Sequence, residues 1–286
     1  MEYYLNIFLD VLTDTSLDCI KMLPFLFAAF LVLEALEHYS GSFLNRMLAR
    51  VGWSGPIFGA LAGCVPQCGF SVMAANLFAG GVISPGTLVS VFIATSDEAI
   101  LILLGNPGRG KDILILLAVK VVIAILAGYA VDCLWRQRQT DDRHLEDLCS
   151  GCGCHDHGGI VKPAIKHTIR ILIYLFVFSG VLNLITEIFG IERLSALLLG
   201  NTIFQPLIAA VIGLIPNCAA SVILTQLYLD GAITFASVIA GLCTGAGVGL
   251  IVLFKMNPDK KENLKIIGIL YLTASAAGIL LSLAGW

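Results

Sequence analysis

Shifted by 150 residues, this sequence overlays itself without a gap, so that Gly63 meets Gly213 and Gly128 meets Gly278. The match is strongest between "GCVPQCGFSVMAANLFAGGVI", Gly63–Ile83, and "GLIPNCAASVILTQLYLDGAI", Gly213–Ile233. Pro66, Cys68, Ser71, Leu77 and Gly81 recur as Pro216, Cys218, Ser221, Leu227 and Gly231. Gln67 is answered by Asn217, Asn76 by Gln226 and Phe78 by Tyr228. Beyond the motif, Glu37 meets Glu187 and Lys111 meets Lys261. Apolar similarity alone would not keep polar positions in register. The chain is two copies of one unit.

The copies lie in an oily chain. Of 286 residues, 58% are hydrophobic and 13% charged, where soluble domains carry about 25% charged residues. Several runs of about 20 residues hold few charges, the length a helix needs to cross a hydrocarbon core of about 30 Å. The composition predicts an all-α polytopic membrane protein. Spans are expected over 20–38, 86–104 and 112–134 in the first copy, and 168–189, 234–254 and 262–285 in the second. The division is a first repeat over 1–135, a polar linker over 136–167 and a second repeat over 168–286. No basic stripe points to nucleic acid. Glu2 and Asp10 stand where a cleaved signal peptide would carry basic residues.

Residues 55–80, with their mates 205–230, have two readings: one broken span, or a re-entrant hairpin. A proline inside a helix removes a hydrogen bond and clashes with the preceding turn. Pro66 therefore divides its stretch into pieces of about 11 and 13 residues, each roughly 16–20 Å long at 1.5 Å per residue. Such pieces reach only the midplane. Lysine and arginine arbitrate, because cytoplasmic loops carry their excess. With hairpins, each unit crosses three times and the copies are inverted. Arg46, Arg50, Arg136, Arg138, Arg143, Lys162, Lys166, Arg170, Lys255, Lys260 and Lys261 then share one face, against Arg109, Lys111 and Arg193 on the other. With full crossings the split is nearly even. The expectation is two inverted repeats, each of three transmembrane helices plus one broken hairpin. The linker is then cytoplasmic and both termini are external.

Inverted-repeat transporters hold substrate near the midplane on interrupted helices. Unwound backbone survives there only when buried in protein or lining a cavity. At the two expected tips, Gln67 and Asn217 offer amide oxygens, and Cys68 and Cys218 offer soft sulfur. Ser71 and Ser221 follow one turn later. "ATSDEAI" adds Asp97 and Glu98 inside the 86–104 span, where a carboxylate costs about 3 kcal/mol on insertion scales and is a functional hypothesis by default. Lys120 lies in the next span, and its depth matches that of Glu98 within about 3 Å. Their mates are Gly247, Val248 and Leu270, so all three charges vanish together from the second copy. That pattern fits an ion pair between Lys120 and one carboxylate. The other carboxylate stays free to hold a cation or a proton. Glu34, Glu37 and His38 form either a vestibule on the cytoplasmic side or a solvated headgroup face; Glu187 mirrors Glu37 outside.

Buried cysteine ordinarily acts as a small hydrophobe, and Cys19, Cys64, Cys133 and Cys243 read that way. Gly241, Gly245 and Gly249 form a stripe on which helices approach closely. The linker segment "CSGCGCHDH" gathers Cys149, Cys152, Cys154, His155 and His157, ligands suited to zinc or other soft ions. It reads as a flexible metal-capturing tether, or as a tolerated low-complexity loop. "GNPGRGKD" imitates a phosphate loop, but Asp112 replaces the hydroxyl that holds magnesium and no strand precedes it. No resident cofactor and no hydrolytic constellation are expected.

The paired "VPQCGFS" and "IPNCAAS", the "TSDEAI" after the first and the "GLCTGAGVGLIVLF" after the second resemble the ten-span heavy-metal exporters. These are relatives of arsenic permeases, often labelled manganese transporters or arsenic efflux proteins. The resemblance covers most of the chain outside the linker. It implies metal efflux, with ten spans met as six crossings plus four hairpin arms. The expected activity is secondary-active export across the plasma (inner) membrane. The oxygen ligands favour a divalent cation such as manganese, with proton coupling. The cysteines leave open arsenite, an organoarsenical or another soft metal. A lipid carrier and a passive channel are further alternatives. The expected partners are the ion, the bilayer lipid and, in a homo-oligomer, further copies of the chain.

Overall fold

The computed structural model describes residues 53–65, 68–95, 97–104, 110–135 and 204–286, with scattered positions between 12 and 31 and between 161 and 181. The side chains of Cys68, Asp97, Glu98 and Cys218 lie outside that description. Every extended element among the described residues is a helix. The first half holds α1 (Gly55–Gly63), α2 (Cys68–Ala79), α3 (Pro85–Ala94), α4 (Asp97–Leu104) and α5 (Gly110–Leu134). The second holds α6 (Gln205–Gly213), α7 (Cys218–Leu229), α8 (Phe235–Thr244), α9 (Val248–Met256) and α10 (Lys260–Leu283). The bounds of α1, α2 and α3 return as those of α6, α7 and α8 at the offset read from the sequence.

Local chemistry sets these boundaries in both halves. Prolines open α1, α3 and α6 in the first turn, where the missing N–H is no loss. Ser84 caps α3 by accepting from Thr87 N, and Thr234 caps α8 by accepting from Ser237 N. α2 and α7 end alike. Gly81 at φ 72° and Gly231 at φ 73° turn left-handed, and Val82 N and Ala232 N reach back to Leu77 O and Leu227 O at 2.8 Å. That is the glycine-terminated helix end in which orphan carbonyls are satisfied.

Within the first half, Gly55 and Gly59 lie against Thr87, and Gly63 against Val91, Ala94 and Thr95. So α1 and α3 run side by side in the same direction, and α2 carries the chain back between them. α5 runs the other way. Asp132 accepts from Gly86 N and Ser84 Oγ, both at 2.8 Å. Ser90 Oγ donates to Ala124 O at 2.8 Å, and Lys120 meets Thr95. The second half repeats the plan. Gln205 Oε1 accepts from Thr234 N at 3.1 Å and Ser237 Oγ at 2.7 Å, while Gly213 lies against Gly241 and Thr244. Gly128 touches Pro56, Gly86 and Ser90; Gly278 touches their mates Pro206, Ala236 and Ala240. Only glycine lets these helices come so close.

The halves interlock. α2 packs more extensively on α9 than on any helix of its own half, and α7 does the same on α4. Gly249 of α9 sits against Ser71 of α2. Tyr228 OH, at the end of α7, donates to Asp112 Oδ2 at the start of α5, at 3.3 Å. Lys265 Nζ, near the start of α10, lies 5.3 Å from the ring centre of Trp135, just past the end of α5.

Among the described residues, three stretches are long and apolar enough to cross a membrane: Gly110–Leu134, Phe235–Met256 and Lys260–Leu283. The chain is a multi-pass membrane protein. The apolar window of 235–256 is 83% buried within the protein, against 33% for each of the other two. The broken helices thus form the centre. α5 and α10 line the outside and present Leu114, Val122, Leu126, Leu264, Leu272 and Leu280 outward, as lipid contact requires.

The fold corrects two expectations. Residues 86–104 and 234–254 are not continuous helices. The first breaks at Thr95, whose ψ of 129° leaves the helical region. The second breaks at Gly245 and Gly247, the latter at φ 52° and ψ −137°, a conformation that side chains strongly disfavour. Each half therefore contains two interrupted stretches. The glycine stripe is corrected in part. Gly241 and Gly249 do allow close packing, against Leu224 and Ala209 and against Ser71 and Phe92. Gly245 instead ends α8.

Candidate functional site

Four breaks converge in this architecture. Gly63, at the end of α1, touches Thr95, where α3 ends; Gly213, at the end of α6, touches Thr244, where α8 ends. Lys120 joins the two groups. Its side chain is 0% exposed. Its Nζ donates to Thr95 O of the first half and, at 2.9 Å, to Leu242 O of the second. Both carbonyls lie at helix C-termini, whose last carbonyls lack partners within the helix.

Beyond the breaks the chain restarts four helices: α2, α4, α7 and α9. Asp97 and Glu98 are the first two residues of α4. A helix N-terminus is where backbone N–H groups favour a carboxylate. α4 packs on α7, which opens with Cys218. The carboxylates and the second tip are thus on contacting helices. Asn217 caps α7, with φ −142° and ψ 145°, and its side chain accepts from Ala219 N at 3.5 Å. Its amide oxygen, expected as a ligand, is turned to its own helix. Ser71 is fully buried beneath α9. Ser221 is half-buried, and its carbonyl accepts from Thr225 Oγ1 at 2.7 Å.

Two thiols read from sequence as inert are also in this region. Cys64 caps the C-terminus of α1, and Cys243 is buried near the end of α8. Another group went unnoticed. Asn76 of α2 is 1% exposed, and among the described residues neither amide atom has a hydrogen-bond partner. It lies two turns from Cys68 on the same stripe of the helix.

A family model described as "Putative, 10TM heavy-metal exporter" matches residues 4–192 and 176–285. The chain belongs to that family. Searches of curated proteins and of solved structures find no match. For this heavy-metal exporter family member, the described residues account for the interrupted centre of the chain. Gln67, Pro66, Glu34, Glu37, His38 and Glu187 lie outside them, as do the linker residues Cys149, Cys152, Cys154, His155 and His157. The expected pairing of Lys120 with Asp97 or Glu98 falls on carboxylates outside the description.

Two signals pointed to the missed breaks. "TSDE" is a capping-box pattern, a hydroxyl residue followed three positions later by glutamate. It announces a helix start inside what reads as a continuous span. "TGAG" supplies the glycine that the second break requires.

Proposed function

We propose that this family member is a secondary transporter that exports a divalent metal cation, manganese favoured, by alternating access. Its two repeats are inverted, and each sends a half-depth hairpin to the bilayer centre. The observation that carries the reading is the meeting of four helix breaks around a fully buried lysine. Interrupted helices at a repeat interface are how such carriers build a midplane site.

Inversion is supported by contacts at both faces. α5 begins beside the end of α7 through Asp112 and Tyr228. α5 ends beside the start of α10 through Trp135 and Lys265. Both contacts support a reading in which the long helices of the two halves run in opposite directions. The parallel course of α1 and α3 supports the hairpin: a full crossing through 55–80 would return α3 antiparallel to α1.

In this mechanism Asp97 and Glu98 receive the cation, with Gln67, Ser71 and Ser221 around it, and Asn217 joins them by turning its amide oxygen from the α7 cap. A cation displacing a proton, or competing with Lys120 for a carboxylate, couples export to proton entry. The basic loops favour the plasma membrane orientation with the linker inside and both termini outside. The linker cysteines and histidines form a metal-capturing tether, and Glu34, Glu37 and Glu187 line the approaches.

Cys64 and Cys243 favour a second reading. They stand at the ends of α1 and α8, and α2 and α7 restart with Cys68 and Cys218, a cysteine-rich centre that suits arsenite, an organoarsenical or another soft metal. Cells with and without the chain, challenged with manganese, zinc, cadmium, arsenite and an organoarsenical, decide between the two. The first reading predicts higher manganese tolerance and lower cellular manganese. Tolerance to arsenicals alone, lost when Cys68 and Cys218 are both changed to Ser, replaces it with the second.

A further inference from the structure

We propose that Lys120 is a tethered cation. Its ammonium fills a monovalent-cation site made from the carbonyl ends of the two broken helices, and it latches the two halves together there. This deepens the transporter reading and rests on it for the export readout alone.

The site is built from opposite halves. Thr95 O ends α3 and Leu242 O lies in the last turn of α8. A helix C-terminus carries roughly half a negative charge, so two of them together favour an ammonium placed between them. In carriers with broken helices, half-helix C-termini and unwound carbonyls are where a coupling sodium or proton binds. Here those oxygens are occupied by a side chain of the protein. An ammonium is a compact point charge with three donors, able to satisfy several carbonyls at once. It cannot diffuse away. The repeat mate of Lys120 is Leu270, also 0% exposed. One ammonium therefore serves two symmetry-related helices. It can release them only if α5 shifts against α3 and α8.

The test uses the full chain in detergent. Lys120→Ala removes the equivalent of propylammonium beyond Cβ. The variant is expected to unfold at a lower temperature than the parent, and millimolar propylammonium to restore most of that loss. Tetramethylammonium, which has no N–H, should restore none, and the parent should respond to neither. In cells or vesicles, export by the parent should be equal in sodium and in N-methylglucamine media. The proposal is overturned if Lys120→Met unfolds at the parental temperature, if propylammonium moves parent and variant equally or moves neither, or if parental export falls severalfold without sodium. Should Lys120→Ala not survive extraction, Lys120→Arg must be more stable than Lys120→Met; equal loss overturns the proposal. If the parent exports no metal or arsenical, the transporter reading fails, while the unfolding data still decide the role of Lys120.

Discussion

The two halves share a backbone plan and differ in chemistry. In the first, the central helix breaks at Thr95, whose carbonyl accepts from Lys120 of the following helix, and restarts with Asp97 and Glu98. In the second, the equivalent break is made by Gly245 and Gly247, and a leucine stands for the lysine. One break needs polar residues and the other needs glycine, yet both deliver a helix end to the same centre. Symmetry supplies the geometry and asymmetry supplies the charge. A pair of charged breaks would put two ammonium groups and four carboxylates in one low-dielectric region, where each unpaired charge costs several kcal/mol.

The largest effect expected from this difference is on export. Asp97→Asn or Glu98→Gln should lower efflux of the responsive ion at least about tenfold, the scale on which losing a charged ligand acts. Gly247→Asp, which writes the first half's residue into the second, should not rescue either variant. Intact efflux in both single variants removes the carboxylates from the mechanism.

Stability should separate the halves next. Asp132 accepts two hydrogen bonds at the start of α3, and its mate Ser282 is in the last turn of α10. Asp132→Ala should cost about 3 kcal/mol, since hydrogen bonds to charged groups contribute roughly 1.5–3 each. Ser282→Ala should stay within about 0.5 kcal/mol. Chemical unfolding in detergent measures both.

Gly247→Ala should cost about 2 kcal/mol, the scale of a side chain forced into a sparsely populated backbone region. Gly245→Ala, at φ −73°, should cost less. Equal losses would mean that positive φ is not what the second break requires.

The smallest effect concerns Asn76 and its mate Gln226, one buried and one exposed. An unpartnered buried amide costs roughly 1–3 kcal/mol. Asn76→Leu should raise the unfolding temperature and lower export if the amide is kept for the transported ion. Gln226→Leu should change neither. A stabilised Asn76→Leu that exports normally makes Asn76 a packing fault.

The repeat was legible in the sequence because polar residues hold register where apolar ones drift. The division of 55–80 and of 205–230 into two helices each followed from Pro66 and Pro216, since proline acts locally. The breaks at Thr95 and Gly247 were not read, because apolar residues on either side keep the mean hydropathy of a full span. The cross-half bonds of Lys120 were not legible either. Its partners are backbone carbonyls, which carry no residue identity, and Leu242 is 122 residues away. Cys64 and Cys243 were read as filler for the same reason: proximity to Lys120 is a property of the fold.

Sided labelling tests the central arrangement most directly. Single cysteines at Val82, in the turn after α2, and at Asp230, in the turn after α7, are probed with a membrane-impermeant maleimide, with the parent chain as blank. Inverted half-depth hairpins predict labelling of Asp230→Cys in intact cells and of Val82→Cys only in inside-out vesicles. Labelling of both from the same side would contradict the account.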